Sequence, residues 1–176
     1  MHGLDYFCII NKITLTELSN YLGISKSAPT NWKNGSKNFP DKYKRILYDL
    51  FGIPEDKCYL LEIKVVTMID RIEIKIIHQD ISLKNIFAND DIDVEMKKSL
   101  VAMFTMEITL LKNQLRRELL IHRLKRTFDS SIYMNIDKIY NLKLDKLENF
   151  IDELEKFEEN DEIKQIFSNF QMKTKM

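Results

Sequence analysis

Residues 13–35 read ITLTELSNYLGISKSAPTNWKNG, and this segment carries the clearest structural signals in the chain. Thr14 followed by Glu17 is a capping box, in which two side chains satisfy free backbone N–H groups at a helix start. Apolar residues then recur at helical spacing as far as Leu22. Gly23 suits the left-handed backbone that commonly ends a helix. The first half of the segment therefore predicts a short helix that stops at a glycine turn.

A second short helix is expected directly after that turn. Ser25 is a candidate N-cap, and Trp32 would face inward from the helix that follows. Gly35 ends the pattern. Pro29 disfavours helical backbone at the residue before it, so the helix has two candidate starts, Lys26 and Pro29 itself. Two short helices joined by a glycine turn form a helix-turn-helix unit.

The distribution of glycine and proline divides the chain near residue 61. All four glycines and all three prolines lie within residues 1–61, which predicts four or five short helices joined by tight turns. From residue 62 onward apolar residues recur at helical spacing without either breaker, and we predict helices over about 60–87, 91–128, 135–157 and 163–170. The expected fold class is all-α, with an N-terminal five-helix domain at 1–61. A helical domain at 62–176 would form a bundle or a short coiled coil.

The N-terminal part resembles the helix-turn-helix domain of the Cro/CI repressor family, also called the xenobiotic-response-element type. The resemblance covers residues 4–61 and depends on the spacing from Gly23 to Gly35. The segment LFGIP at residues 50–54 matches the small turn after the family's fourth helix. The resemblance implies a first helix at 4–13, closing helices at 41–51 and 54–61, and double-stranded DNA as the partner.

The resemblance also implies which residues would touch DNA. It assigns base contacts in the major groove to Lys26, Ser27, Thr30 and Asn31. Lysine can donate to guanine, asparagine can pair with adenine, and hydroxyls adapt to either base. Phosphate contacts are expected from residues just past this helix: Lys33, Asn34, Ser36 and Lys37. Further contacts to phosphate from Lys42, Lys44 and Arg45 would add electrostatic affinity and make binding fall steeply with salt.

A single helix-turn-helix contacts few base pairs, so a dimer on an inverted-repeat operator is expected. The C-terminal helices are the natural element for homodimerisation. The resulting hypothesis is a transcription regulator, and repression is the commoner outcome in the family. An antirepressor or another protein could bind its C-terminal helical part.

The alternative is an accessory protein of the phage or plasmid type. Such a protein would be anchored to DNA, or would bind protein, and would recruit a partner through its charged helices. Leu15 and Pro29 differ from the family's usual residues and favour that alternative, whereas RNA binding has only the basic patches in its support.

Charge is balanced overall but uneven along the chain. There are 27 basic and 27 acidic residues, giving a net charge of zero. Residues 112–126 are mainly basic and residues 145–162 mainly acidic, which predicts that the two stretches complement each other within one chain or between subunits.

Other classes of function lack support in the sequence. The chain shows no nucleophile motif, paired catalytic carboxylates or phosphate-cradling glycine loop, so neither an enzyme nor a cofactor is expected. Cys8 and Cys58 form no close pair, and His2, His78 and His122 are isolated, so neither a disulfide nor a metal site is expected. Charges interrupt every apolar run and the first residues do not resemble a signal peptide. We therefore expect a cytoplasmic protein with no membrane segment.

Overall fold

The computed structural model describes residues 1–127 and 143–158, and all regular structure in these ranges is helical. In chain order the elements are α1 (Gly3–Ile10), α2 (Leu15–Leu22), α3 (Ala28–Lys33), α4 (Asp41–Phe51), a 3₁₀ helix (Glu55–Leu61), α5 (Met68–Ala88), α6 (Val94–Thr127) and α7 (Leu144–Glu158). The all-α prediction is confirmed for this part of the chain. The expected helix at 163–170, the break at 129–131 and residues 135–142 of the third long helix lie outside the described residues.

The capping box predicted before α2 is confirmed. Thr14 Oγ1 accepts a hydrogen bond from the Glu17 amide at 3.1 Å, and a Glu17 carboxylate oxygen accepts from the Thr14 amide at 2.7 Å. The bonds that the Glu17 carboxylate accepts, from the Thr14 amide and then from the Thr14 hydroxyl, hold the pKa of Glu17 below its ordinary value. Gly23 ends the helix with φ of +64°, a left-handed conformation that glycine adopts without strain. The local sequence therefore specifies both ends of α2.

The start of α3 differs from both candidates. The helix begins at Ala28, after a turn in which the Ala28 amide donates to the Ser25 carbonyl at 2.9 Å. Ser25 therefore closes a turn with its backbone and does not cap the helix. Pro29 occupies the first turn of α3, where a missing N–H costs no intrahelical bond. Lys26 lies in the turn and not on the helix.

The first helix is shorter than expected, and it ends at a turn that contains no glycine. It stops at Ile10, and Lys12 takes the left-handed conformation with φ of +56°. The Ile13 amide donates to the Cys8 carbonyl at 3.0 Å and the Lys12 amide to the Ile9 carbonyl at 3.1 Å. This is the hydrogen-bond pattern of a Schellman motif, so the expected extension of the helix to Ile13 is wrong.

The predicted helix at 60–87 is also wrong at its start. Residues 62–67 run beside the N-terminus, with the Gly3 amide donating to the Ile63 carbonyl at 2.8 Å. The Val66 amide donates to the Met1 carbonyl at 2.9 Å. Helix α5 begins only at Met68, after a second capping box made by Thr67 and Asp70. This segment is not helical because its backbone groups form hydrogen bonds with those of the N-terminal residues.

The first of two compact units is Met1–Leu115, and its core brings the N-terminal helices together with α5. Phe7 and Phe51 stack with ring centroids 5.3 Å apart. Val66, Ile74 and Ile77 belong to the same buried cluster, so this unit runs past residue 61. The remaining members of the cluster are Leu4, Cys8, Leu18, Leu47, Ile53, Leu60 and Leu61.

The second unit begins at Arg116, and in its described part the end of α6 packs against α7. Its buried side chains are Leu120, Ile121, Leu147 and Ile151. Arg116 pairs with Glu148, and Arg123 lies 3.2 Å from Asp152. For these two pairs the predicted match between the basic and acidic stretches is made within one chain. Among the described helices, none combines the length and apolar character needed to cross a bilayer.

Candidate nucleic-acid interface

Helices α2 and α3 are held together by the turn between them. The Ile24 amide donates to the Ser19 carbonyl at 3.0 Å, and Ser19 is fully buried with its hydroxyl donating to the Leu15 carbonyl at 2.7 Å. Pro29 and Trp32, three positions apart, form the inward face of α3. The expectation that Trp32 packs in the interior is confirmed, since 9% of it is exposed.

The opposite side of α3 is open to solvent. Ser27, Thr30 and Asn34 follow the three-four spacing of one helix face, and all three are exposed. Lys26 is exposed in the turn just before the helix, whereas Asn31 is half-buried. The four residues expected to contact bases therefore lie on or next to the short α3, and three of them are exposed.

The basic residues expected to contact phosphate fall into two groups. Lys33 Nζ lies 2.6 Å from an Asp5 carboxylate oxygen, and Lys44 Nζ lies 2.9 Å from a carboxylate oxygen of Glu62. The hydrogen bond that Lys44 donates to Glu62 is the main cause of the raised pKa of Lys44. Both lysines therefore already form ion pairs with other described residues.

The other three cations of the set are not paired with an acid within the described ranges: Lys37, Lys42 and Arg45. Each is exposed, and Lys42 Nζ lies 5.5 Å from the centre of the Tyr43 ring. Asn34 and Ser36 are also exposed. These side chains are therefore accessible to an anionic partner without the loss of an existing ion pair.

A stack of aromatic rings positions the loop that carries Lys37. Trp32 stacks on Phe39 with centroids 4.4 Å apart and on Tyr43 with centroids 5.5 Å apart, joining α3 to the start of α4. The Lys37 amide donates to the Asn31 carbonyl at 3.2 Å. Phe39 and Tyr43 were not predicted from the sequence to belong to this site, although both lie close to Trp32 along the chain. The stack explains why the loop after α3 has a defined path.

The described residues contain no group of three or more His, Cys, Asp or Glu side chains placed to hold a metal ion. No protein-family model, curated protein or solved structure matches the chain.

Proposed function

We propose that this protein is a cytoplasmic, sequence-specific regulator of transcription that binds double-stranded DNA, with repression as its mode of action. The observation that carries the proposal is the two-sided character of α3. Pro29 and Trp32 anchor one side of it in the interior, while Ser27 and Thr30 on the other side are exposed, with Lys26 directly before them. A short helix held in this way can enter the major groove and present the residues at its N-terminal end to base edges.

The exposed groups have the chemistry that base recognition requires. The Lys26 ammonium group can donate to O6 and N7 of guanine, and the Asn31 side chain can pair with N6 and N7 of adenine. The hydroxyls of Ser27 and Thr30 can donate or accept. Because Asn31 is half-buried, its reach into the groove depends on how closely α3 approaches the base pairs.

Phosphate contacts would come from the cations that have no acidic partner. Lys37, Lys42 and Arg45 would neutralise backbone phosphates, assisted by Asn34 and Ser36. In this proposal Lys33 and Lys44 mainly stabilise the fold and do not contact phosphate, because each already forms an ion pair with a carboxylate. The aromatic stack on Trp32 would keep the loop with Lys37 at a constant distance from α3.

A homodimer would double the number of base contacts on an inverted repeat. Helix α6 carries a stripe of exposed apolar side chains, 47% to 65% accessible, that lie seven, three and four positions apart, as on one face of a heptad pattern: Met96, Met103, Met106 and Leu110. Exposing so much apolar surface on one helix face is unfavourable in water, and pairing with a second copy would bury it. We assign the dimer contact to this stripe.

The decisive experiment is selection of bound DNA from a random pool by the full-length protein at near-physiological salt. A Lys26→Ala/Asn31→Ala double variant is selected in parallel, with circular dichroism as the check on folding. Enrichment of an inverted repeat by the native protein, and its loss in the variant, would support a dimeric operator-binding regulator. A folded native protein that enriches no sequence would overturn the proposal.

The second candidate is an accessory protein that binds another protein through α6. The methionine-rich stripe favours it, because flexible, polarisable methionine side chains adapt to different partner surfaces. The zero net charge of the chain also gives it no general attraction to nucleic acid. Failure of the DNA selection together with a monomeric native protein would favour this candidate over the regulator.

A further inference from the structure

A small open cavity lies beside the loop that follows α3. Its volume is about 190 Å³, far more than a single water molecule needs. Trp32 forms part of its wall, and the charged and polar side chains that line it include His2, Lys33, Lys37, Glu62 and Lys64. Neither His2 nor Lys64 belongs to the surface described above.

Three separate parts of the chain meet at this cavity. The paired backbones of residues 1–3 and 63–66 bring His2 close to Lys64. This approach requires glycine at position 3, since a Cβ there would lie 1.9 Å from the Leu60 carbonyl oxygen. The stack of Phe39 on Trp32 brings the loop with Lys37 to the same place.

The balance of charge in the cavity is positive. Lys33 is neutralised by Asp5, and Glu62 is neutralised by Lys44. Lys37 and Lys64 form no ion pair with any other described residue. Two lysines therefore line the cavity without a counter-charge of their own among the described residues.

His2 adds a hydrogen-bond donor. Its Nδ1 accepts from the Leu4 amide at 3.2 Å, so the neutral imidazole carries its proton on Nε2. Burial is the main cause that lowers the pKa of His2 and favours this neutral form. The ring is thus oriented by the start of α1, and its N–H remains available to an acceptor.

We propose that this cavity is an oxyanion site that takes a phosphate group, held by Lys37, Lys64 and His2. Two ammonium groups and one N–H donor suit a tetrahedral anion with several acceptor oxygens. The group could belong to the DNA backbone or to a free phosphate ligand. Binding of a DNA backbone phosphate rests on the proposed function. Binding of a free phosphate ligand does not, and it would make the cavity a regulatory site.

The test uses Trp32, the only tryptophan in the chain, as a reporter in the wall of the cavity. Full-length protein is titrated with inorganic phosphate against sodium chloride of equal ionic strength, and the fluorescence is followed. Binding to a labelled random-sequence DNA duplex is measured separately by anisotropy. The variants are Lys64→Gln and, as the matched control, Lys84→Gln, which removes an exposed lysine of α5 outside the cavity.

Saturation by phosphate that is weakened about tenfold in Lys64→Gln, the effect of losing one charge-assisted hydrogen bond, would assign the site to a free phosphate ligand. No response to phosphate, with a larger loss of duplex affinity in Lys64→Gln than in Lys84→Gln, would assign it to the DNA backbone. Equal behaviour of the two variants toward both probes would overturn the site.

These outcomes are independent of the random-pool selection. A selected operator together with equal behaviour of Lys64→Gln and Lys84→Gln would leave the regulator standing and remove the oxyanion site. Phosphate saturation that depends on Lys64, in a protein that selects no DNA sequence, would leave the site standing and remove the regulator.

Discussion

The ammonium group of Lys33 lies 2.6 Å from the carboxylate of Asp5, which joins the last turn of α3 to the first turn of α1 across 28 positions of sequence. The two side chains are 17% and 27% exposed, so water screens the pair only in part. This contact links α3, the proposed recognition helix, to α1, which contributes buried side chains to the core.

We expect Lys33→Gln and Asp5→Asn each to lower the free energy of unfolding by about 1–2 kcal/mol, because each leaves a partly buried charge without its hydrogen bond. Urea denaturation of the two variants and of the double variant measures the effect. A coupling energy of at least about 0.5 kcal/mol in this cycle would support the pair. Additive losses would contradict it.

Substitutions at Asn31 and Lys37 should affect DNA binding in different ways. Asn31→Ala removes a base contact and should cost about 1–3 kcal/mol on the selected operator while relaxing base choice at one position. Lys37→Ala removes a phosphate contact, so affinity should fall on all sequences and the salt slope should decrease by about 1. Titrations on operator and random duplexes at several salt concentrations separate the two. Equal losses on both duplexes for Asn31→Ala would exclude its assigned role.

Lys12 should be a site where glycine stabilises the protein. Its left-handed backbone, with φ of +56°, is strained for any residue with a Cβ, by roughly 1–2 kcal/mol. Glycine relieves that strain but loses more freedom on folding, so the net gain in Lys12→Gly should be about 0.5–1 kcal/mol. Thermal and urea unfolding measure it. Lys12→Ala keeps the Cβ and serves as the control; an equal gain in both variants would point to the loss of charge instead.

Gly3 and Gly23 should tolerate different replacements. A Cβ at Gly3 would lie 1.9 Å from the Leu60 carbonyl oxygen, whereas at Gly23 it would meet nothing within 4 Å. Gly3→Asn should therefore destabilise by about 1–3 kcal/mol through overpacking. Gly23→Asn should be nearly neutral, because asparagine accepts the left-handed conformation found there. Urea midpoints of the two variants compare the effects, and a stable Gly3→Asn would refute the close approach.

The apolar stripe on α6 should control the oligomeric state. Met103→Glu/Met106→Glu places two charges in this stripe, and burying them in a dimer would be strongly unfavourable. We expect a dimer for the native protein and a monomer for this variant by analytical ultracentrifugation. Met68→Glu changes an equally exposed methionine at the start of α5 and should leave the dimer intact. A native protein that is monomeric at micromolar concentration would contradict the assignment.

Both ends of α2 followed from local sequence signals alone. The capping box of Thr14 and Glu17 marks the start of α2, and Gly23 marks its end. The groups that specify each end lie within a few residues of one another, so their hydrogen bonds can be inferred without knowledge of the fold. The bounds of α4, Asp41 and Phe51, were implied by the family resemblance and are those observed.

One error arose where distant segments compete for the backbone, and two arose at local turns. The segment after Leu61 carries a helical pattern, yet it pairs with residues 1–3 and α5 starts later. The left-handed Lys12 was not expected because glycine or asparagine usually occupies such positions. At α3, proline restricted the candidate starts without selecting Ala28, which the turn from Ser25 determines.

The features of the candidate interface likewise fall into those that the sequence determines and those that only the tertiary structure determines. The amino-acid sequence established the all-α class, the turn at Gly23, the inward position of Trp32 and the identity of the basic residues around α3, because each depends on neighbours along the chain. Tertiary structure alone showed that Lys33 and Lys44 pair with Asp5 and Glu62, and that His2, Lys37 and Lys64 line one cavity. The reason is physical: whether a cation is available to a partner depends on the charges that folding brings within hydrogen-bonding distance, and those lie far away in the sequence.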